Sequence, residues 1–559
     1  MDLPLDTAEV SRLLIEIGQR LELCGEIPFK ARAYYTAAEN LLAHTMPLAD
    51  LVAQGKLREV PGVGESLMEK IVRLHKTGTH PTLDYLREQM PASVLDMLEI
   101  PGLGPKKVML LHYTLHISSV AELEEACKAG RLRDCKGLGG TLQKKILESI
   151  EFLRKTKGLS LVHVADERLR EAADRLAASR PALRRIVLAG ALRRGCELVD
   201  GLCLVAEAPA VEGHVAVETR QDVRVYVSDA QHYGVALLHA TGNPAHLAGL
   251  RARAASRGMR LTEKGLWRGD EELPVADEQA LYEALRLPFI EPELREGRGE
   301  IELAAKGALP ALLCESDIRG ILHCHTDFSD GHNTLAEMAE AVRTRGCRYF
   351  GVADHSQSAG YAGGLKEDDI REQHRAVGRL NEKYDAAAFR VFKGIESDIR
   401  DTGALDYPDA LLKEFDFIVA SIHSRLNLDK QAQTARILAA VANPHTTILG
   451  HISGRLLLQR EAYAIDTEEV LKACAKHGVV VEINAHPHRL DLDWRWHARA
   501  LELGCMLGIN PDAHAVTELD LMRWGVAVAR KGGVPKERVL NCMDLSAFSQ
   551  WLAARKRGR

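Results

Sequence analysis

The chain predicts a multidomain protein, with a helical N-terminal region, a mixed α+β middle and a C-terminal parallel (β/α)7 barrel. Three observations carry this reading. Its 559 residues exceed what one hydrophobic core sustains, since single cores rarely grow beyond about 250–300 residues. From residue 318 onward, short apolar runs alternate about seven times with segments of helical periodicity. Before residue 158, by contrast, helical segments are separated by a recurring Pro-Gly-apolar-Gly turn.

Each apolar run of the barrel ends in a residue that can bind a metal. Ile321-Leu-His-Cys-His325 ends in two histidines one residue apart, with Asp330 close behind. On a strand, residues i and i+2 point the same way, so His323 and His325 should converge on one cation while Cys324 faces the opposite side. Later runs end in His355, Glu396, His423 and His451, then in Glu482 with Asn484, and finally in Asp512 with His514. Leu335–Arg345, Gln431–Val441, Thr467–His477 and Ala498–Gly504 read as helices between them. The active site of such a barrel lies at the C-terminal ends of its strands. One histidine at a strand end is usually structural, but a series of seven such ends is a site. Mixed imidazole and carboxylate donors suit Zn, Mn or Fe, and so many of them imply two or three ions.

Composition narrows the remaining classes. There is no apolar run near 20 residues and no cationic, apolar leader at Met1, so neither a membrane span nor secretion is expected, and the cytoplasm is the expected location. Eleven cysteines without a C-x-x-C pair argue against a zinc ribbon and a disulfide framework. A net charge of −5 does not advertise nucleic-acid binding, yet a local basic or backbone-amide surface works on an acidic chain.

Such a surface is predicted near the N-terminus. In the helix of Ile27–Ala38, Phe29, Ala33 and Ala37 share one face, with Lys30 and Arg32 elsewhere. Val60-Pro-Gly62-Val-Gly64, Ile100-Pro-Gly102-Leu-Gly104 and the weaker Cys135-Lys-Gly137-Leu-Gly139 are helix-hairpin-helix signatures. Their glycines let backbone N–H groups approach a phosphate at a helix N-terminus. Three copies, with Lys106, Lys107, Lys144 and Lys145 beside them, point to sequence-independent binding of a DNA backbone.

This arrangement resembles the N-terminal domain and fingers of family X DNA polymerases. In some members a lysine of the first hairpin forms a Schiff base with an abasic sugar, and Lys70 matches it; a phosphate-contacting or solvated lysine is the competing reading. The resemblance continues through Ile186–Gly195, similar to the strand and turn that hold nucleotide phosphates, but Ala191 replaces the expected serine. Aligned on Leu204-Val205, Gly201 and Cys203 occupy the places of two metal-binding aspartates needed for two-metal phosphoryl transfer. Asp200 would face the wrong way after a one-residue slip, and Asp222 matches the third carboxylate alone. The segment between Val205 and Asp222 is short for the family, His239 and Ala240 replace an aromatic pair, and Leu247 replaces an asparagine. The region therefore reads as a nucleotidyltransferase-like palm and thumb remnant that has lost nucleotidyl transfer.

The strand-end motifs H-x-H…D, D-H-S, G-I-E, S-I-H-S-R, G-H, E-I-N-A and D-A-H resemble, in that order, the polymerase and histidinol phosphatase (PHP) domain, a distorted seven-stranded barrel that binds three metals. The resemblance implies as ligands His323, His325, Asp330, His355, Glu396, His423, His451, Asp512 and His514. Arg425, Arg455 and Arg489 are candidates for gripping substrate phosphate, and Asn484 and Asp491 for orienting the site. The implied layout is a lyase-like helix-hairpin-helix domain at 1–80, a fingers-like domain at 81–158, palm and thumb remnant at 159–286, a linker at 287–317 and the PHP domain at 318–559. The expected function is a 3′-5′ exonuclease that uses manganese, with zinc or iron as alternatives. It would act as a monomer on gapped, nicked or 3′-ended DNA, with abasic-site cleavage as a further activity. An active gap-filling polymerase and a non-catalytic DNA-binding scaffold are the two alternatives.

Overall fold

A computed structural model describes residues 5–26, 28–44, 46–100, 102–132, 138–211, 215–220 and 222–557. The chain divides into two compact units, Met1–Lys157 and Gly158–Arg559.

The first unit is helical throughout its described residues. Thr7–Leu23, capped by Asp6, packs with Pro28–Ala43 and Glu65–Thr77 around Leu14, Ile17, Leu41 and Leu74. Pro105–Leu115, Val120–Lys128 and Gly140–Thr156 build a second cluster around Val108, Leu123 and Ile146. One helical face differs from expectation. Among the described residues of Pro28–Ala43, Ala31, Ala37, Ala38 and Leu41 are buried, whereas Phe29 is 80% exposed. Phe29, two residues from the buried Ala31, points to the opposite face of the helix.

The second unit opens with a small palm. Its sheet runs Arg184–Leu188, Leu202–Glu207, Val223–Ser228, Val215–Arg220 in spatial order, and the middle pair is parallel. A thumb follows, with helices Tyr233–Thr241, Pro244–Ala255 and Glu278–Ala284 around a three-stranded meander. One continuous apolar core joins Val162, Leu204 and Val225 of the palm to Ile321, Val352 and Ile483 of the barrel, so the two fold as one body.

The barrel strands are Gly320–Cys324, Tyr349–Val352, Arg390–Lys393 with Glu396–Asp398, Val419–Ser421, Ile448–Leu449, Val480–Asn484 and Leu507–Asn510, each parallel to the next. The third is broken at Gly394, where an added Cβ would lie 2.4 Å from the Val352 carbonyl, so only glycine allows this approach. Continuity across the break comes from the Glu396 N–H bonded to Asp354 O, and the ring closes where His325 N–H bonds to Ala513 O. The predicted helices appear as Leu335–Thr344, Lys430–Ala442, Thr467–His477 and His497–Glu502. None of the described helices is long and apolar enough to cross a membrane.

Candidate metal centre

All nine predicted ligands gather at the C-terminal mouth of this ring. His323 and His325 do so by a different route from simple strand alternation. The register slips between Ile321 and Cys324, and His323 adopts φ +51°. The bulge turns His323 inward beside His325, leaving their ring centroids 5.5 Å apart, while Cys324 is buried on the core side. Asp512 is also left-handed, at φ +53°. Such residues cost about 1–3 kcal/mol each and persist where the surroundings over-determine them.

Among the described residues, three overlapping groups could each hold a metal: His325, Asp330, His355 and His514; His323, His325 and Asp512; and His355, Glu396 and His423. Glu396 is the common centre. Its Oε1 lies 3.2 Å from His323 Nε2, 3.3 Å from His423 Nε2 and 2.9 Å from His451 Nε2, while Oε2 lies 2.8 Å from His355 Nδ1. Asp512 Oδ1 lies 3.0 Å from His325 Nε2 and 3.6 Å from His323 Nε2. Asp330 approaches His355 at 3.6 Å and His514 at 3.5 Å.

The donor set fits divalent cations. His323 Nε2, His325 Nδ1, His355 Nδ1 and Glu396 Oε2 are buried and make no hydrogen bond of sound geometry. Leaving such atoms unpaired costs about 1–3 kcal/mol each unless a ligand takes them. Burial opposes charge on Glu396 and Asp512, yet the facing imidazoles hold both carboxyls well below the usual carboxylate range. Burial, with His355 and His514 beside it, pushes His325 well below the ordinary imidazole value, whereas against burial the Glu482 and Asp512 carboxylates raise His323 and Glu396 raises His355 and His423.

Behind these donors stand carboxylates that fix their orientation. Glu482 accepts from His323 Nδ1 at 2.6 Å and from Asn510 at 2.9 Å, and it also receives the His451 backbone N–H. Asp398 faces His423 Nδ1 at 3.2 Å. Asp354 accepts from Thr326, Ser329 and Gln373, fixing the turn that carries Asp330. Asp398 and Asp354 were missed in the sequence, although Glu396-Ser-Asp398 repeats the i, i+2 spacing that marked His323 and His325. Asn484 donates to Asp512 Oδ2 at 3.1 Å, and Asp491 accepts from Ser453 and Gly454 beside His451.

The three arginines part company. Arg489 Nε lies 3.6 Å from Asp512 Oδ2 and faces the centre. Arg425 sits on the rim, paired with Asp401 at 2.6 Å. Arg455 is turned away from the centre. Its guanidinium is consumed by Asp493 at 2.9 Å and by the carbonyls of Arg489 and Leu490.

Comparison with known proteins places this geometry. Family models match as a helix-hairpin-helix domain over residues 6–80, a SAM-like helix-hairpin-helix tandem over 94–151, a DNA polymerase beta thumb over 236–296 and a PHP domain over 322–486. The chain is 31% identical to the DNA polymerase/3′-5′ exonuclease PolX of Bacillus subtilis, over 97% of this chain and 99% of that one. The chain belongs to the family X DNA polymerases that carry a C-terminal PHP domain. The barrel portion, 42% of the chain, is also 27% identical to a probable phosphatase of Thermoanaerobacter sp., covering 94% of its length, and 25% identical to one of Caldanaerobacter subterraneus, covering 91%.

Gly190, at φ +69°, faces Cys203, whose Cβ lies 3.5 Å from where a glycine substituent would begin, and Gly201 O lies just beyond. Cys203 lies on Leu202–Glu207, Gly201 at φ +93° sits in the break between that strand and Leu198–Asp200, and Ala191 is buried. Asp200 is exposed and pairs with Leu159, while Asp222 is exposed at φ +65° outside the strand. Arg193 binds Glu278 through both terminal nitrogens, and Arg194 binds Glu296 at 3.0 Å. Ala240 and Leu247 are packing residues, and His239 bonds to the Thr262 carbonyl.

In the hairpins, Gly62 and Gly102 adopt φ +79° and +86°, and Gly64, Gly104 and Gly139 begin helices that carry no side-chain cap. Open space faces Gly64, Gly102, Gly104 and Gly139. Gly137 lies outside the described residues. Lys106, Lys144 and Lys145 are exposed, while Lys107 closes its own turn through Gly102 O at 2.7 Å. Lys70 bonds to Ser66 Oγ at 2.8 Å and lines a cavity of about 770 Å³ with Lys30, Tyr34 and Tyr85.

Proposed function

We propose that the chain is a divalent-metal-dependent 3′-5′ exonuclease acting on DNA, whose polymerase site no longer synthesises. The observation that carries the first half is the set of three overlapping donor groups that share His325, His355 and, through its neighbours, the central Glu396. Divalent cations in such a site supply Lewis acidity, acidifying water and neutralising charge on phosphate oxygens. The chain's own residues do the rest. Glu482 and Asp398 hold His323 and His423 by Nδ1 and so present Nε2 to the centre. Arg489 is placed to donate to a non-bridging phosphate oxygen, and Arg425 to steer the strand from the rim.

Manganese is the metal of this reading, with zinc or iron able to use the same donors. The hairpins of the N-terminal unit favour DNA over a small phosphoester, because their uncapped amides suit a phosphate backbone. Substrates are gapped, nicked or 3′-ended duplexes taken without regard to sequence, the working form is a monomer, and the five-part layout from 1–80 to 318–559 divides the labour. Loss of synthesis follows from Gly201 and Cys203 in the aspartate places and from Arg193 and Arg194 being neutralised by Glu278 and Glu296. Lys70 remains the candidate for abasic-sugar release, and the barrel for abasic-site cleavage.

The test is shortening of a 5′-labelled strand by EDTA-stripped protein as Mn²⁺ is added back, followed by the same titration on His355→Ala. Hydrolysis that needs the metal and is lost in His355→Ala supports the proposal. Metal-independent shortening would overturn it.

A further inference from the structure

The turn after His355 has features that metal binding does not use. Ser356 N–H bonds to Glu396 O at 3.0 Å, and its Oγ to Asp406 at 2.8 Å. Ser358 N–H also reaches Asp406, at 2.6 Å, and Gln357 N–H reaches Tyr407 Oη at 3.1 Å. Tyr407 Oη in turn donates to Leu365 O at 2.6 Å. At Gly364 an added Cβ would lie 1.9 Å from Ser356 O, so the two ends of the turn are pressed together. Ala359 and Ala362 are buried beneath it. The backbone of residues 356–365 is therefore fixed from both sides.

On this fixed turn Tyr361 is 75% exposed. Among the described residues from 318 to 557, it is the only large apolar side chain left exposed. Its ring centroid lies 6.3 Å from that of the predicted ligand His355, at an interplanar angle of 54°. An aromatic ring held at the lip of a phosphoester site, on a backbone that cannot fold it inward, presents a free π-face to whatever the site admits. Every nucleobase has a matching face, so stacking on it is indifferent to sequence.

We infer that Tyr361 is the stacking platform for the terminal nucleobase of the DNA strand, holding it so that the terminal phosphodiester enters the His/carboxylate pocket. The inference rests on the exonuclease reading and adds to it the part of the substrate that the barrel recognises. It makes the barrel select strand ends that carry a base, and it requires that base to leave its pairing partner.

The experiment compares two 5′-labelled oligonucleotides, one with an ordinary 3′-terminal nucleotide and one whose 3′-terminal sugar lacks its base. Full-length wild type, Tyr361→Ala and Tyr361→Phe are assayed with Mn²⁺. Stacking contributes about 1–3 kcal/mol per base, so Tyr361→Ala should lower kcat/KM on the ordinary end by roughly 5- to 150-fold. On the baseless end it should match wild type within about twofold, which also shows that the variant is folded and loaded. Tyr361→Phe should behave as wild type on both. Equal losses on the two ends, no loss on the ordinary end, or a Tyr361→Phe loss as large as that of Tyr361→Ala would each overturn the platform. Wild type that shortens neither strand would overturn the exonuclease reading, and the platform with it.

Discussion

Glu197 of the palm accepts hydrogen bonds from Trp494 Nε1 at 3.0 Å and from Arg495 at 2.8 Å, both on the barrel loop that carries Arg489 and Asp491. Arg455 completes the brace, reaching Asp493 and the Arg489 and Leu490 carbonyls with its Nη1 4.0 Å from Glu197. The palm thereby supports the segment that positions Arg489 against Asp512.

Replacing Glu197 tests the brace. Glu197→Ala leaves the buried Trp494 N–H without its acceptor, a loss of about 1–3 kcal/mol. Thermal melting of the full chain should fall, and exonuclease kcat/KM should fall with it, while Glu197→Gln, which keeps one acceptor, should lose less of both. Unchanged activity in a destabilised Glu197→Ala protein would separate the brace from the site.

Asp398 should matter to metal affinity although it is not a predicted ligand. Partners of a metal-bound histidine typically contribute 10- to 100-fold, so Asp398→Ala should weaken Mn²⁺ activation by about that factor. Saturating Mn²⁺ should restore most of the rate. Isothermal titration with Mn²⁺ gives the affinity directly, and wild-type affinity would remove Asp398 from the account.

Acid should loosen the thumb at a defined place. Burial opposes the Glu278 charge, but Arg295 and Arg193 hold its carboxyl below its ordinary value of 4.5. A carboxyl depressed in the folded state contributes stability that is present above about pH 4.5 and is lost as the pH falls through the folded value. Urea midpoints between pH 7 and pH 3 should therefore drop less steeply in Glu278→Gln than in wild type. That variant should also be less stable at pH 7 by about 3–5 kcal/mol, because Arg295 is left buried and uncompensated.

The hairpin cations should govern DNA affinity and leave phosphoester chemistry alone. Lys106→Ala should reduce the slope of log binding constant against log salt by about 1 on duplex DNA of any sequence. Hydrolysis of a small chromogenic phosphodiester should be unchanged. A loss confined to one DNA sequence would speak against backbone binding.

That these donors gather was legible because most of them end apolar runs, and parallel β/α topology brings such ends to one mouth. The palm was less legible, because Gly201 at φ +93° breaks the run between Leu198–Asp200 and Leu202–Glu207 and alternation does not carry across it. What the sequence hides is partnership between distant residues. Arg455 looked like a phosphate grip until Asp493 and two carbonyls were seen to take its donors. Asp398 was marked only by its i, i+2 spacing from Glu396, since its partner, His423, lies just beyond the end of the next strand. Nor did the pattern reveal that His323 reaches the site through a left-handed bulge, since a bulge changes the backbone without changing hydrophobic periodicity.

The central claim is that the barrel cuts DNA while the palm is silent. It is tested most directly on a 5′-labelled gapped duplex with Mn²⁺, with and without dNTPs, using wild type, His325→Ala and Asp222→Ala. The account predicts shortening that vanishes only in His325→Ala, and no extension by any of the three. Extension by wild type that disappears in Asp222→Ala would contradict it, because the palm would then still hold a working carboxylate site.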